Sequence, residues 1–156
     1  MTERREQDAQ ILVCYDGSDD AKRAVDAAAA LLGPRPAVVL NVAPAMTPAE
    51  GVGTTSPPAR GDAFEDLNRA DALIRAEAGA ARARRAGLDA EPLATIAPTT
   101  WQGIVDVADE LDVSVIVIAS RGRSDLRELA RDSLSYDVAR HTRQPVLIVP
   151  PRRGTA

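Results

Sequence analysis

Along the chain, short apolar runs alternate with segments whose apolar residues recur every three or four positions. Residues 11–15, Ile-Leu-Val-Cys-Tyr, are a nearly unbroken apolar run, the pattern of a strand covered on both faces. Asp16, Gly17 and Ser18 end it. Ser18 is a preferred helix N-cap, and Asp19 and Asp20 suit the first turn that follows. Ala21, Ala24, Val25, Ala28 and Leu32 then recur at helical spacing until Gly33 and Pro34 stop the helix. Residues 37–40 with Val42 predict a second strand. Residues 43–61 hold Pro44, Pro48, Pro57, Pro58, Gly51, Gly53 and Gly61 and predict a long mobile loop.

Beyond it, Phe64, Leu67, Ala70, Ile74, Ala78 and Ala81 mark one face of a long helix, expected to be the buried one. Arg82, Arg84 and Arg85 crowd its last turn and Gly87 ends it. Residues 89–96 predict a weaker strand, and Trp101, Ile104, Val105, Ala108 and Leu111 a short helix. Residues 113–119 give the strongest strand signal in the chain. A broken helical region runs to about His141, residues 145–149 form the last strand, and 151–156 read as a tail. Strands thus alternate with helices throughout, which predicts an α/β fold with a parallel sheet covered on both faces. The alternation resumes after the 43–61 loop, so residues 1–156 read as a single domain with its core over 10–150. In such sheets ligands sit outside the carboxyl ends of the strands, where the strand order reverses.

Composition narrows the picture. Apolar residues are 45% of the 156 and aromatics 3%, so the core must be built from Val, Ile, Leu and many Ala. The net charge of −4 disfavours a nucleic-acid partner. No apolar run approaches the ~20 residues of a membrane span, and residues 1–10 lack the apolar stretch of a signal peptide. The single cysteine, Cys14, has no intramolecular disulfide partner and fits a reducing, cytoplasmic setting.

Candidate chemistry gathers in two loops: Asp16, Gly17 and Ser18 after the first strand, and Ser120, Arg121, Gly122, Arg123 and Ser124 after the fourth. If those strands are neighbours, the loops face each other. Gly122 then lets backbone amides approach a phosphate, and a helix opening at Asp132 and Ser133 offers N-terminal amides to an anion. Arg121, Arg123, Arg127 and Arg131 add positive charge. Each feature alone is more often only a turn or a solvated face; together they favour phosphate binding. Catalytic alternatives fare worse. One His and one Cys exclude a four-ligand Cys/His zinc site. His141 is expected to cap its helix, Cys14 to be core, Trp101 to cover the sheet edge or pack under its helix, and Lys22 to pair with Asp19 or Asp26. No Gly-Lys-Ser/Thr loop is present.

These residues resemble the universal stress protein family. The strand and Asp-Gly-Ser turn over residues 11–28 are similar to the family's opening. The match is closer over 115–150: Val-Ile-Val-Ile-Ala-Ser-Arg-Gly-Arg-Ser, then Asp-Ser-Leu-Ser, then Gln-Pro-Val-Leu-Ile-Val-Pro. The resemblance implies a Rossmann-like five-stranded parallel sheet in the order 3-2-1-4-5. It also implies homodimers, often formed through the last strand, and in many members a bound ATP. ATP-binding members carry Gly, two residues, Gly, nine residues, Gly, then Ser or Thr. Here Ala119 stands at the first glycine, Gly122 is retained, Asp132 replaces the third, and Ser133 is retained.

By the same resemblance Tyr15 and Asp16 lie along the adenosine and the Val42 backbone faces the adenine edge. Gly122, Ser133, Leu134 and Ser135 surround the phosphates; Arg123 is expected to reach them on its proximity to Gly122 alone, not on the resemblance. The expected function is a non-enzymatic stress-response module with an ATP site weakened by Asp132. That residue is expected to be the helix N-cap and to put its carboxylate where a phosphate would bind. The alternatives are an ATP-independent dimeric partner-binding member of the same fold, or, last, a nucleotide-hydrolysing or adenylating enzyme.

Overall fold

The computed structural model describes residues 9–45, 61–120 and 133–152. Within them the order is β1 (Ile11–Cys14), α1 (Asp19–Leu32), β2 (Pro36–Pro44), α2 (Gly61–Ala86), β3 (Asp89–Ala97), α3 (Thr100–Glu110), β4 (Val115–Ala119), α4 (Leu134–His141) and β5 (Val146–Val149). The five strands form one parallel sheet in the order β3-β2-β1-β4-β5. The central strand is the most apolar because it is covered on both faces. Its alternate residues feed two cores: Ile11, Val13 and Tyr15 on the side of α1 and α2, Leu12 and Cys14 on the side of α3 and α4.

Local chemistry sets the helix ends. The Ser18 hydroxyl accepts from the Ala21 amide at 3.1 Å and opens α1, and Gly33, at φ 72°, closes it in a conformation that costs a side chain dearly. Thr99 opens α3: its Oγ1 accepts from the Gln102 amide and donates to Gln102 Oε1. α1 buries Ala21, Ala24, Val25 and Ala28, the expected face.

Two expectations are corrected. The predicted 43–61 loop is shorter at both ends: β2 runs through Ala43 to Pro44, and α2 begins at Gly61. The cause is β3, which matches β2 over nine residues, from Pro36 opposite Asp89 to Pro44 opposite Ala97. Pro44 is tolerated as a strand's last residue, and the next amide, Ala45, donates to the Ala97 carbonyl at 3.0 Å. Residues 46–60 lie outside the described residues.

The second correction concerns α2. Phe64, Leu67, Ala70, Ile74 and Ala78 are exposed, and the buried residues are Ala72, Ala76, Gly79, Ala80 and Ala83. The helix lies so close over the sheet that a Cβ on Gly79 would stand 2.7 Å from Tyr15 Cδ1 and 2.8 Å from Val39 Cγ1. Only small residues fit that gap, so the large ones were driven to the opposite face.

Candidate functional site

The chain steps outward from β1 to β2 and β3, then returns past β1 to β4 and β5. The helices that follow β1 and β4, α1 and α4, pack on opposite faces of the sheet, so the carboxyl ends of the two strands border the place where such sheets form a ligand crevice. Val13 pairs with Val117 and Cys14 with Leu40; two residues further, Asp16 comes level with Val42. β2 thus overhangs the end of β1, and the turn that leaves β1 sits at the crevice mouth.

Three hydrogen bonds among the described residues help hold that turn. The Tyr15 amide donates to the Leu40 carbonyl at 2.9 Å. Asn41 Nδ2, buried inside an otherwise apolar strand, donates to the Tyr15 carbonyl at 2.6 Å. Asp16 Oδ1 accepts from the Ser18 amide at 2.9 Å, a side-chain turn that aims Ser18 at the start of α1. Sequence reasoning passed over Asn41. Its signal was there: a single amide inside the run Val-Val-Leu-Asn-Val must find a partner once buried.

The predicted site residues fall into three groups. Asp16, Val42, Ala119, Ser133, Leu134 and Ser135 lie on the elements that border the crevice: the β1 turn, the overhang of β2, the end of β4 and the start of α4. Tyr15 is there through its backbone alone; its ring is buried under α2, against Gly79. Gly122, Arg123 and Asp132 lie outside the described residues. Val42 is half-buried, with its methyls turned toward Gly103 of α3, where an added Cβ would stand 2.7 Å from Cγ1.

The cap of α4 differs from expectation. The N-cap is Ser133 itself, whose Oγ accepts from the Tyr136 amide at 3.2 Å. Asp132 therefore precedes the cap and does not supply it. Both residue types are good caps, and Ser133 is the one that serves. Ser135 is buried, with its hydroxyl 3.3 Å from that of Ser133. By position, the amides of Leu134 and Ser135 have no acceptor within the helix, so α4 presents donors and the positive end of its dipole at the carboxyl end of β4.

Charges around α1 are largely matched with one another. Lys22 Nζ lies 2.9 Å from Asp19 Oδ1, as expected, and holds that carboxyl below its ordinary range; Asp26 instead takes Arg82 of α2 through two bonds of 2.9 and 2.7 Å. Arg23 lies 2.6 Å from Asp20 and donates to the Pro150 carbonyl, tying α1 to the end of β5.

The described residues hold no metal cluster, and their one thiol is not activated. Burial pushes the Cys14 thiol up to about 12, so it stays protonated, and no group of three His, Cys, Asp or Glu stands close enough to hold a metal ion. His141 is the last residue of α4, its Nδ1 2.8 Å from the Asp137 carbonyl one turn back, whereas the C-cap is Thr142, whose amide donates to the Val138 carbonyl. Its ring stacks on Trp101 at 4.2 Å between centroids, so Trp101 bridges α3 and α4.

A doubly wound parallel sheet with two capped helix N-termini at its switch point defines the class of the molecule. The chain belongs to the universal stress protein family, whose model matches residues 9–150. It is 32% identical over 150 residues to universal stress protein YxiE of Bacillus subtilis (strain 168), covering 90% of this chain and 97% of that protein.

Among solved structures, the hypothetical protein MJ0577 is similar at a TM-score of 0.72 and 20% identity, covering 94% of this chain and 98% of that one. A universal stress protein solved in complex with cAMP is similar at 0.60 and 25%, covering 91% and 96%. One from Archaeoglobus fulgidus solved in complex with dAMP is similar at 0.59 and 26%, covering 90% and 96%. No helix among the described residues is long and apolar enough to cross a membrane.

Proposed function

We propose that this chain is a non-catalytic, cytoplasmic stress-response module that holds an adenine nucleotide in the crevice between β1 and β4. The observation that supports it most is the reversal of strand order between β1 and β4, with the Asp16 turn, the end of β2 at Val42 and the amides of Leu134 and Ser135 beside it. It occurs in a family whose solved members include complexes with cAMP and dAMP. The nucleoside lies along Asp16 and the Val42 backbone. The phosphates lie toward Ser133, Leu134 and Ser135, with Gly122 and Arg123 contributing from the β4–α4 connection. ATP is the proposed ligand, weakly held because Asp132 adds a negative charge directly before the cap of α4.

Calorimetric titration tests this. Wild-type protein should bind AMP or cAMP more tightly than ATP, because fewer phosphate charges then meet Asp132. Asp132→Gly should tighten ATP binding about tenfold, or about 1.4 kcal/mol. Absence of heat with all three nucleotides in both proteins would reject the reading, and turnover of ATP by the pure protein would reject its non-catalytic part.

A second reading rests on β5. This strand pairs with β4 on one side, carries no charge over Val146–Val149, and leaves Ile148 42% exposed. Such an edge is a template for pairing with another strand, so we propose a homodimer through β5, with nucleotide-independent partner binding as the function if titration fails. Light scattering of Leu147→Asp against wild type checks it: a wild-type monomer at micromolar concentration ends it.

A further inference from the structure

The outer face of α2 carries an apolar stripe that nothing in the described residues covers. Phe64, Leu67 and Ile74 are 38%, 66% and 68% exposed, with Ala70 and Ala78 exposed between and beyond them. At 100° per residue these five positions and Ala81 fall on one side of the helix, opposite Ala72, Ala76, Ala80 and Ala83, which face the sheet. The stripe is graded: its large residues lie toward the helix N-terminus and its small ones toward the C-terminus. It is also palindromic in position. If a second α2 lies antiparallel against it about a twofold axis at Ile74, Leu67 meets Ala81, Ala70 meets Ala78, and Ile74 meets Ile74.

We propose that α2 pairs with the α2 of a second copy of this chain, antiparallel and centred on Ile74. A parallel pairing would set Phe64 on Phe64 and Ala81 on Ala81, leaving one end crowded and the other gapped; the antiparallel one sets Leu67 against Ala81 at each end and Ile74 against Ile74 at the centre, so bulk is spread evenly along the contact. Charge agrees with the same register. Asp71 and Arg75 flank the stripe on one side, and the twofold brings Asp71 of each copy beside Arg75 of the other, an opposite-charge pair made twice. Arg85, exposed near the end of the helix, comes over the Phe64 ring of the partner copy. The antiparallel arrangement also sets the two helix dipoles favourably.

A stripe of about 18 residues is about 27 Å long, so the contact is smaller than the ~800 Å² per partner of a standard interface. The pairing is accordingly weak and is populated only as protein concentration rises. It is distinct from pairing through β5 at the opposite side of the sheet, since α2 covers β2 and β3.

Sedimentation equilibrium of the full chain from about 5 to 500 µM is the first test. Wild type should show an association step that Ile74→Asp and Leu67→Asp abolish and Leu147→Asp leaves in place. Both stripe positions are exposed, so the variants should fold normally, which circular dichroism checks. The second test reads the register. Asp71→Arg and Arg75→Asp should each lose the step alone, by like charges met twice, and regain it when mixed one to one, because only the mixed pair sets opposite charges together.

In the third test, Ile74→Cys should form a disulfide-linked dimer on mild oxidation, with Cys14 buried and silent. A wild type with the same mass as Ile74→Asp at every concentration would overturn the proposal. Mixing that fails to restore association would overturn the antiparallel register.

Discussion

On the side of α1 and α2, the helix residues that meet the sheet are Ala21, Ala24, Val25, Ala28, Ala80 and Ala83, with Gly79 at the closest approach. On the side of α3 and α4 they are Ile104, Val107, Ala108 and Val138, with Trp101 and Leu134 at the margin. The first side lets its helices sit close and fills the gap with the sheet's own side chains, Tyr15, Val39 and Val117 among them. The second side carries larger helix residues into the core, with a close approach only at Gly103, and fills the space from both directions. The two cores should fail in opposite ways: the first when a residue is enlarged, the second when one is truncated.

The largest expected effect is a truncation on the second side. Ile104 is 1% exposed and central to that cluster, so Ile104→Ala should cost about 3 kcal/mol in a urea melt. The same truncation at Ile74, on the outer face of α2, should change stability by less than about 0.5 kcal/mol at micromolar protein. Equal costs at the two positions would mean that the α2 stripe is covered and its orientation misassigned. Next comes an enlargement on the first side. Gly79→Ala gains about 1 kcal/mol of helix propensity but sets a methyl 2.7 Å from the buried Tyr15 ring, an overpacking of about 1–3 kcal/mol. The net should be a loss of about 1 kcal/mol, and a gain would show that α2 can lift off the sheet.

The same contrast explains what could be read from the sequence. β1 and β4 were legible because a strand covered on both faces must be apolar at every position, and Ile-Leu-Val-Cys and Val-Ile-Val-Ile-Ala have no other economical fold. α1 was legible because its small buried residues, with Val25, form the one apolar face it has. α2 was misread because size misled: Phe, Leu and Ile look like core, whereas contact with the sheet admitted only Ala and Gly.

At the site, the Asp16–Ser18 turn followed from side-chain chemistry alone. The cap of α4 did not, because Asp132 and Ser133 are both competent by type and nothing in the sequence ranks them; the cap is Ser133. Tyr15 was placed along the ligand by resemblance. The alternation of β1 sends its ring to the opposite side from Val42, under α2.

A smaller effect joins the second core to the crevice. Gly103 of α3 lets the helix approach Val42 and Ala97, and an added Cβ would meet Val42 Cγ1 at 2.7 Å and Ala97 Cβ at 3.0 Å. Val42 is half-buried at the strand overhang and can turn away, so Gly103→Ala should change stability by less than about 1 kcal/mol, the propensity gain offsetting the strain. What should move is binding: displacing Val42 shifts the proposed adenine edge, and AMP affinity should fall severalfold with little change in the melt. Stability lost with AMP affinity intact would place the nucleotide away from Val42.

The smallest effect is electrostatic and belongs to the surface of the first side. Asp19 is the first residue of α1 after its cap, where a carboxylate favours the helix dipole, and it is hydrogen-bonded to Lys22. That hydrogen bond and charge hold the Asp19 carboxyl below its ordinary value and the Lys22 ammonium above its own. A lowered carboxyl contributes stability that is present above its unfolded value, about 3.9, and is lost as pH falls through the folded one. A raised ammonium contributes stability present below its unfolded value, about 10.4, and lost as pH rises through the folded one. The pair should therefore give a plateau between about pH 4 and pH 10. Both groups are fully solvated, so salt should flatten the plateau. Asp19→Asn should lower the melting temperature slightly at pH 7 in low salt and not at all at pH 2.5. Lys22→Ala should lose less than Asp19→Asn, because the helix dipole still holds the carboxylate when the ammonium is gone. Thermal melts of the three proteins at both pH values decide it: a deficit in Asp19→Asn that persists at pH 2.5 would trace to local packing at the start of α1 rather than to charge.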